Sequence, residues 1–155
     1  MSSKNPLEDW YFLIGEWEGG STDQFDEEGT IKTSEVYTLE LNGVYIMGRH
    51  DAFNKDGNLI HKALSMLYYD RHNKIMLRKT FYSYGFTNNE VELERTDDMI
   101  RFEVVQEPIP QAFDGMKWRS YIKKVSETEI RDGLEVCKPG EDFSSYGESV
   151  SKKIK

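Results

Sequence analysis

The chain has 155 residues, enough for one domain with a real hydrophobic core. Its 37% hydrophobic and 13% aromatic content excludes disorder, and a net charge of −8 weighs against nucleic acid or an anionic membrane as partner. The single cysteine, Cys137, excludes an internal disulfide, and no apolar run approaches the roughly 20 residues of a membrane span. Residues 1–6 lack the apolar stretch of a secretory signal. The expectation is a soluble cytoplasmic protein with no membrane insertion.

Asn5 is a good helix cap and Pro6 suits the first helical position. Leu7, Trp10 and Leu13/Ile14 recur at helical spacing, so residues 6–14 read as a short amphipathic helix that Gly15 ends. Strand texture begins at Trp17. The first strand runs to Phe25 and is followed by a turn, Asp26-Glu27-Glu28-Gly29. Residues 30–41 form the second strand. Asn42-Gly43 is the strongest hairpin signal in the chain, since both residues tolerate positive φ. Further strands span 44–53, 59–69, 74–83, 91–95, 99–107, 116–124, 129–137 and 146–154. Between them lie the turns 54–57, 70–73 and 97–98 and the longer loops 84–90, 108–115 and 138–145.

About ten strands with short connections predict an all-β, antiparallel up-and-down barrel in a single domain over residues 1–155, with the N-terminal helix capping one end. Alternation sorts the connections. The tight turns at 42–43, 70–73, 96–98 and 125–128 fall at the helix end, and the longer loops fall opposite. That asymmetry suits a barrel with a ligand mouth.

If Asn42-Gly43 is a two-residue loop, Leu41 pairs with Val44, Leu39 with Ile46, Tyr37 with Gly48 and Glu35 with His50. The aliphatic members mark this as the inward face, and it continues onto His61, Ala63, Ser65, Leu67 and Tyr69. Gly48, Ala63 and Ser65 are small, which predicts a cavity beside them. A bulge at 70–73 would swap faces, so either Arg78 and Tyr82 or Lys79 and Phe81 point inward. A tight turn at Asp97-Asp98 places Leu93 opposite Phe102 and Val91 opposite Val104, inside. Met116, Trp118, Ser120 and Ile122 share an inward face. The Arg-x-Tyr spacing of Arg119 and Tyr121 resembles that with which intracellular fatty-acid-binding proteins hold a carboxylate, but Trp118 and Ile122 turn them to solvent. Tyr45, Met47, Leu64 and Met66 form an outward apolar stripe suited to a homodimer contact. Pro108–Gly115, with Phe113 at its tip, reads as a portal or a plain crossover.

Glu35, His50 and His61 are the polar constellation to weigh. Two histidines and a carboxylate near the mouth could hold a divalent metal or move a proton. Wet rim positions are polar in any barrel, and the spacing matches no metal motif.

Gly15-x-Trp17, placed after a short helix and before a strand meander, resembles the calycin superfamily of lipocalins and fatty-acid-binding proteins. The resemblance implies that Trp17 packs at the closed end against a late basic residue, Lys152 or Lys153. The string Leu13-Ile14-Gly15-Glu16-Trp17-Glu18-Gly19 is similar to the opening of nitrobindin-type haem barrels and uncharacterised lipocalin-like domains. Those haem barrels ligate iron through a histidine near the C-terminus. Residues 144–155 contain none, so haem is not expected and no cofactor is predicted.

Two function classes follow. The first is a non-enzymatic carrier or sensor for a small, largely apolar molecule, in a cavity lined by Tyr37, Leu39, Ile46, Ala63, Ser65, Leu67 and Trp118, with His50 and His61 at its mouth. The second is a barrel enzyme using Glu35, His50 and His61, or an atypical haem barrel.

Overall fold

The computed structural model describes residues 4–23, 26–106 and 115–155. Ten strands form one closed antiparallel barrel: β1 (Gly15–Asp23), β2 (Asp26–Glu40), β3 (Tyr45–Phe53), β4 (Leu59–Asp70), β5 (Ile75–Tyr82), β6 (Thr87–Arg95), β7 (Met99–Gln106), β8 (Lys117–Ser126), β9 (Glu129–Cys137) and β10 (Ser144–Lys153). Each strand pairs with its chain neighbours, and β10 closes onto β1. The turn expected at 26–29 is strand, because β2 begins at Asp26. The expected portal, apart from Gly115, lies outside the described residues.

The N-terminal helix spans Pro6–Leu13 and is a 3-10 helix. Leu7, Trp10 and Leu13 recur every third residue, the spacing that eclipses side chains on one face of a three-residue turn. The Asn5 side chain accepts a hydrogen bond from the Leu7 N–H at 3.0 Å. All three apolar side chains are buried, each contributing about 1.5–3 kcal/mol on burial.

Trp17 fastens this plug. Its indole N–H donates to the Leu13 carbonyl at 2.7 Å, and its ring is fully buried. Lys153, rather than the exposed Lys152, supplies the basic partner. Its ammonium lies 5.5 Å from the Trp17 ring centroid and donates to the Phe12 carbonyl at 2.8 Å. Gly15 has φ +135°, and a Cβ there would lie 2.2 Å from the Lys155 carbonyl oxygen. Only glycine lets the two ends of the chain pass this closely.

The core fills the plugged half. Tyr37, Ile46, Leu67, Met76, Ile100, Phe102, Ile122 and Ile130 pack with Leu7, Trp10, Leu13 and Trp17. The first hairpin keeps the expected register, with Glu35 opposite His50 and Tyr37 opposite Gly48. Its loop is longer than expected: strands end at Glu40 and Tyr45, and Leu41, Asn42 and Gly43 all have positive φ. Leu41 and Val44 are therefore turn residues in solvent, not an inward pair. Leu39 does point to the inner face, but at the strand end beside that loop it is 41% exposed.

The register across 70–74 turns Arg78, Thr80 and Tyr82 inward and Lys79 and Phe81 outward. The 97–98 turn holds the expected pairing of Arg95 with Ile100 and Glu94 with Arg101. A bulge between Glu92 and Glu94 then shifts it by one, so Glu92 faces Phe102 and Glu90 faces Val104. Leu93 is thrown outside at 45% exposure, and Val91 pairs with Glu103 on the outer face. An extra residue in one strand reverses the faces beyond it. Tyr45, Met47, Leu64 and Met66 lie half-buried on the outer wall.

Candidate functional site

Above the core, the half of the barrel away from the plug encloses an open cavity of about 550 Å³. Its walls come from β2 (Ile31, Thr33, Glu35), β3 (His50), β4 (His61, Ala63, Ser65), β5 (Arg78, Thr80, Tyr82) and β6 (Asn88). Across from them stand Val104, Trp118, Asp132, Leu134 and Tyr146, with Tyr84 and Phe86 on the β5–β6 connection. Apolar and aromatic groups dominate the far wall and rim, while charged groups gather at the floor.

Glu35 forms one side of the floor. It is 4% exposed and fully engaged. Tyr37 donates its hydroxyl to Oε2 at 2.8 Å, and Ser151 donates to Oε1 at 2.8 Å. Burial, then the Glu35 charge, pushes the Tyr37 phenol well above its usual range, so it stays a donor. His50 Nδ1 lies 3.7 Å from Glu35 Oε2, and His50 Nε2 lies 3.2 Å from Ser65 Oγ. The Tyr37 ring and the imidazole pack in a T-shape with centroids 5.5 Å apart. Gly48 makes this meeting possible: a Cβ there would fall 2.7 Å from Ser65 Oγ and 3.0 Å from His50 Nε2.

Arg78 forms the other side. Its Nε and Nη2 donate to both oxygens of Glu90 at 3.0 and 2.8 Å, and Nη1 donates to Asp132 at 2.9 Å. Thr80 and Ser120 complete the Glu90 shell at 2.8 and 2.6 Å. The guanidinium also lies over the Phe102 ring at 5.1 Å. Burial alone would lower the Arg78 pKa; the carboxylates of Asp132 and Glu90 outweigh it and hold the guanidinium more firmly protonated than usual. Burial raises the Asp132 pKa, with Arg78 opposing and Glu35 adding to the rise.

His61 stands higher, with its ring stacked on Tyr82 and Tyr84 at 5.5 and 5.1 Å. Its buried Nδ1 has no hydrogen-bond partner. Burial, then the charge of His50, lowers its pKa from 6.5.

The sequence-predicted residues separate into two levels. His50, His61, Ala63, Ser65 and Trp118 line the cavity. Tyr37, Ile46 and Leu67 belong to the core beneath it, and Leu39 sits at the plug end. Glu35 is on the floor rather than the rim. It pairs with His50, but His61 stands apart, and among the described residues no three His, Cys, Asp or Glu side chains form a group able to hold a metal. Arg119 and Tyr121 lie on the outer wall, Arg119 over the Phe143 ring at 4.0 Å and Tyr121 across Gly133 with its hydroxyl on Glu148. Sequence reasoning missed Glu90 and Asp132 and left Arg78 open. The signal for Arg78 would have been charge balance, since a buried carboxylate needs a cation on a neighbouring strand.

The architecture is shared. Rv2717c from M. tuberculosis superposes with a TM-score of 0.70 at 16% identity, over 99% of this chain and 100% of that one. An S-type phycobiliprotein lyase, CPES from Guillardia theta, gives a TM-score of 0.59 at 10% identity, over 98% of this chain and 94% of that one. The chain has a calycin-like barrel fold. A redesigned β-barrel, b11L5F_LGL, also resembles this calycin-like barrel, with a TM-score of 0.51 at 10% identity over 98% of this chain and 100% of that one. At these identities the likeness concerns the fold alone. No protein-family model matches the chain, and no curated protein matches it. Among the described residues no helix is long and apolar enough to cross a membrane.

Proposed function

We propose that this calycin-like barrel binds a small, largely apolar molecule, with its body against the aromatic wall and a polar group on the floor. The observation that carries the reading is the cavity of about 550 Å³, open opposite the plug and lined by Trp118, Tyr82, Tyr146, Phe86, Leu134 and Val104. Cavities of this size suit small organic ligands. Affinity would come mainly from burial, at about 25 cal/mol per Å² of apolar surface. The charged floor modifies the sequence expectation: a purely hydrocarbon ligand would displace water from ionic and hydrogen-bonding groups without replacing its hydrogen bonds, so the ligand carries a hydrogen-bonding end. The nitrobindin-type resemblance rests on the Leu13–Gly19 string, and without a histidine in residues 144–155 we do not extend haem binding to this chain.

Ala63 lines the cavity on β4. Substituting Ala63→Trp should fill the space and abolish uptake of an environment-sensitive apolar dye such as anilinonaphthalene sulfonate, while circular dichroism stays that of the barrel. Equal dye binding by wild type and variant would reject this cavity as the site.

A further inference from the structure

The geometry points to a hydrolytic centre in this cavity, with Ser65 as nucleophile, His50 as general base and Glu35 as its positioning residue, acting on small carboxylic esters. The inference rests on the reading that small molecules enter the cavity. Three features support it independently of that reading.

First, the three side chains stand in relay order. Ser65 Oγ is 3.2 Å from His50 Nε2, and the other ring nitrogen, Nδ1, faces Glu35 Oε2 at 3.7 Å. Nucleophile, base and orienting carboxylate in this sequence are the recognisable unit of acyl transfer, and such contacts are often loose before substrate binds. At 3.7 Å the Glu35 carboxylate favours a proton on Nδ1 electrostatically, and a proton there would leave the Nε2 lone pair for the Ser65 hydroxyl.

Second, the neighbours preorganise the relay. Tyr37 and Ser151 fix both oxygens of Glu35 at 2.8 Å, and the Tyr37 ring packs perpendicular to the imidazole. Gly48, whose missing side chain would otherwise occupy the gap, lets Ser65 and His50 meet. A surface serine that merely hydrogen-bonds a histidine needs no such support.

Third, a guanidinium, paired with Glu90 and Asp132, lines the same cavity. Arg78 sits diagonally from Ser65 on the neighbouring strand, the spacing that a long side chain can bridge. Three of its N–H groups go to Glu90 and Asp132, and the guanidinium has donors beyond these. It would stabilise an oxyanion as charge develops.

The reaction balances with water alone. Ser65 Oγ bonds to the ester carbonyl carbon as its proton passes to His50 Nε2. The tetrahedral intermediate collapses, the C–O bond to the alcohol breaks, and the alkoxide leaves with the proton from His50. Water, deprotonated by His50, then attacks the acyl-Ser65 ester. The acid departs, and Ser65 Oγ recovers the proton. Ester and water give acid and alcohol.

The test uses the native chain with 4-nitrophenyl acetate as substrate and diisopropyl fluorophosphate as a small covalent probe. The expected result is saturable hydrolysis and phosphorylation of one residue, mapped by peptide mass spectrometry to Ser65. Ser65→Ala should abolish both, and His50→Gln should lower kcat/KM about a hundredfold or more. Glu35→Gln should lower kcat with KM little changed and shift the acid limb of the pH–rate profile, which a purely structural carboxylate would not do. Hydrolysis that persists in Ser65→Ala, or a folded wild-type protein that is neither labelled at Ser65 nor active, overturns the centre. Dye uptake without labelling or turnover overturns it while leaving the binding reading intact. Labelling and turnover at Ser65 without dye uptake supports it and removes the apolar-ligand reading instead.

Discussion

Glu35 on β2 and Ser151 on β10 share a 2.8 Å hydrogen bond across the intervening strand β1. It passes at Gly19, which pairs with Ser151 on one side and Thr33 on the other. The contact joins the first strands to the last at the floor of the cavity.

Gly19→Ala should be costly. The new Cβ would lie 2.0 Å from the Val150 carbonyl oxygen and 2.7 Å from Ser151 Oγ. Backbone cannot yield as a side-chain tip can, so urea unfolding should show a loss of about 2 kcal/mol or more. Gly20→Ala, with only the Ile31 carbonyl at 3.4 Å, serves as the control and should stay within about 0.5 kcal/mol of wild type. Equal effects at the two positions would contradict the close approach at Gly19.

Gly48→Ala should separate His50 from Ser65. The Cβ would also fall 2.7 Å from the Tyr37 ring. The neighbours here are side chains, so the barrel should fold at a cost of about 1–3 kcal/mol. The imidazole resonances of His50 should move. An unchanged His50 spectrum would show that the glycine does not hold the contact open.

Arg78→Met should cost about 3–5 kcal/mol, because Glu90 is left charged and buried without its cation. Glu90→Gln in the same background should recover part of the loss. The double-mutant cycle should show a coupling of about 1 kcal/mol or more. Additive losses would mean that the two side chains do not act as a pair.

His61 should titrate below 6.5 in the folded protein, as an NMR pH series would show. A lowered folded pKa means that the unfolded chain takes up the proton first. The stability associated with neutral His61 is therefore present above pH 6.5 and lost as pH falls through and below it. His61→Phe should flatten that part of the urea-midpoint curve on the acid side. A His61 midpoint at or above 6.5 would refute the burial argument.

The fold was legible because its signals are local. Asn5-Pro6, the threefold spacing of Leu7, Trp10 and Leu13, and turn residues between alternating runs specify a plug and a meander without reference to distant parts of the chain. The register of β2 on β3 and of β3 on β4 followed from one turn and from the even length of the next. Gly48, Ala63 and Ser65 indicated open space, although Tyr37 and His50 fill the part at Gly48.

The polar floor was not legible, and the bulge at 92–94 shows why. Turn chemistry placed Leu93 inside, by the pairing that holds as far as Glu94. One extra residue then reversed the faces and brought Glu90 into the barrel, where Arg78 from β5 and Ser120 from β8 satisfy it. Nothing local in the sequence around residues 88–95 marks that bulge. It is stabilised by partners 12 and 30 residues away, so only the closed barrel selects it.

The sequence by itself determined the strand count, the plug and the position of Trp17, because hydrophobic periodicity and turn propensity act over a few residues. The tertiary structure alone decided which of Lys152 and Lys153 covers Trp17, which β5 residues point inward, and that His50 meets Ser65 instead of His61. Those choices depend on register summed around ten strands. A shift of one residue anywhere in that sum turns a buried carboxylate into a surface one.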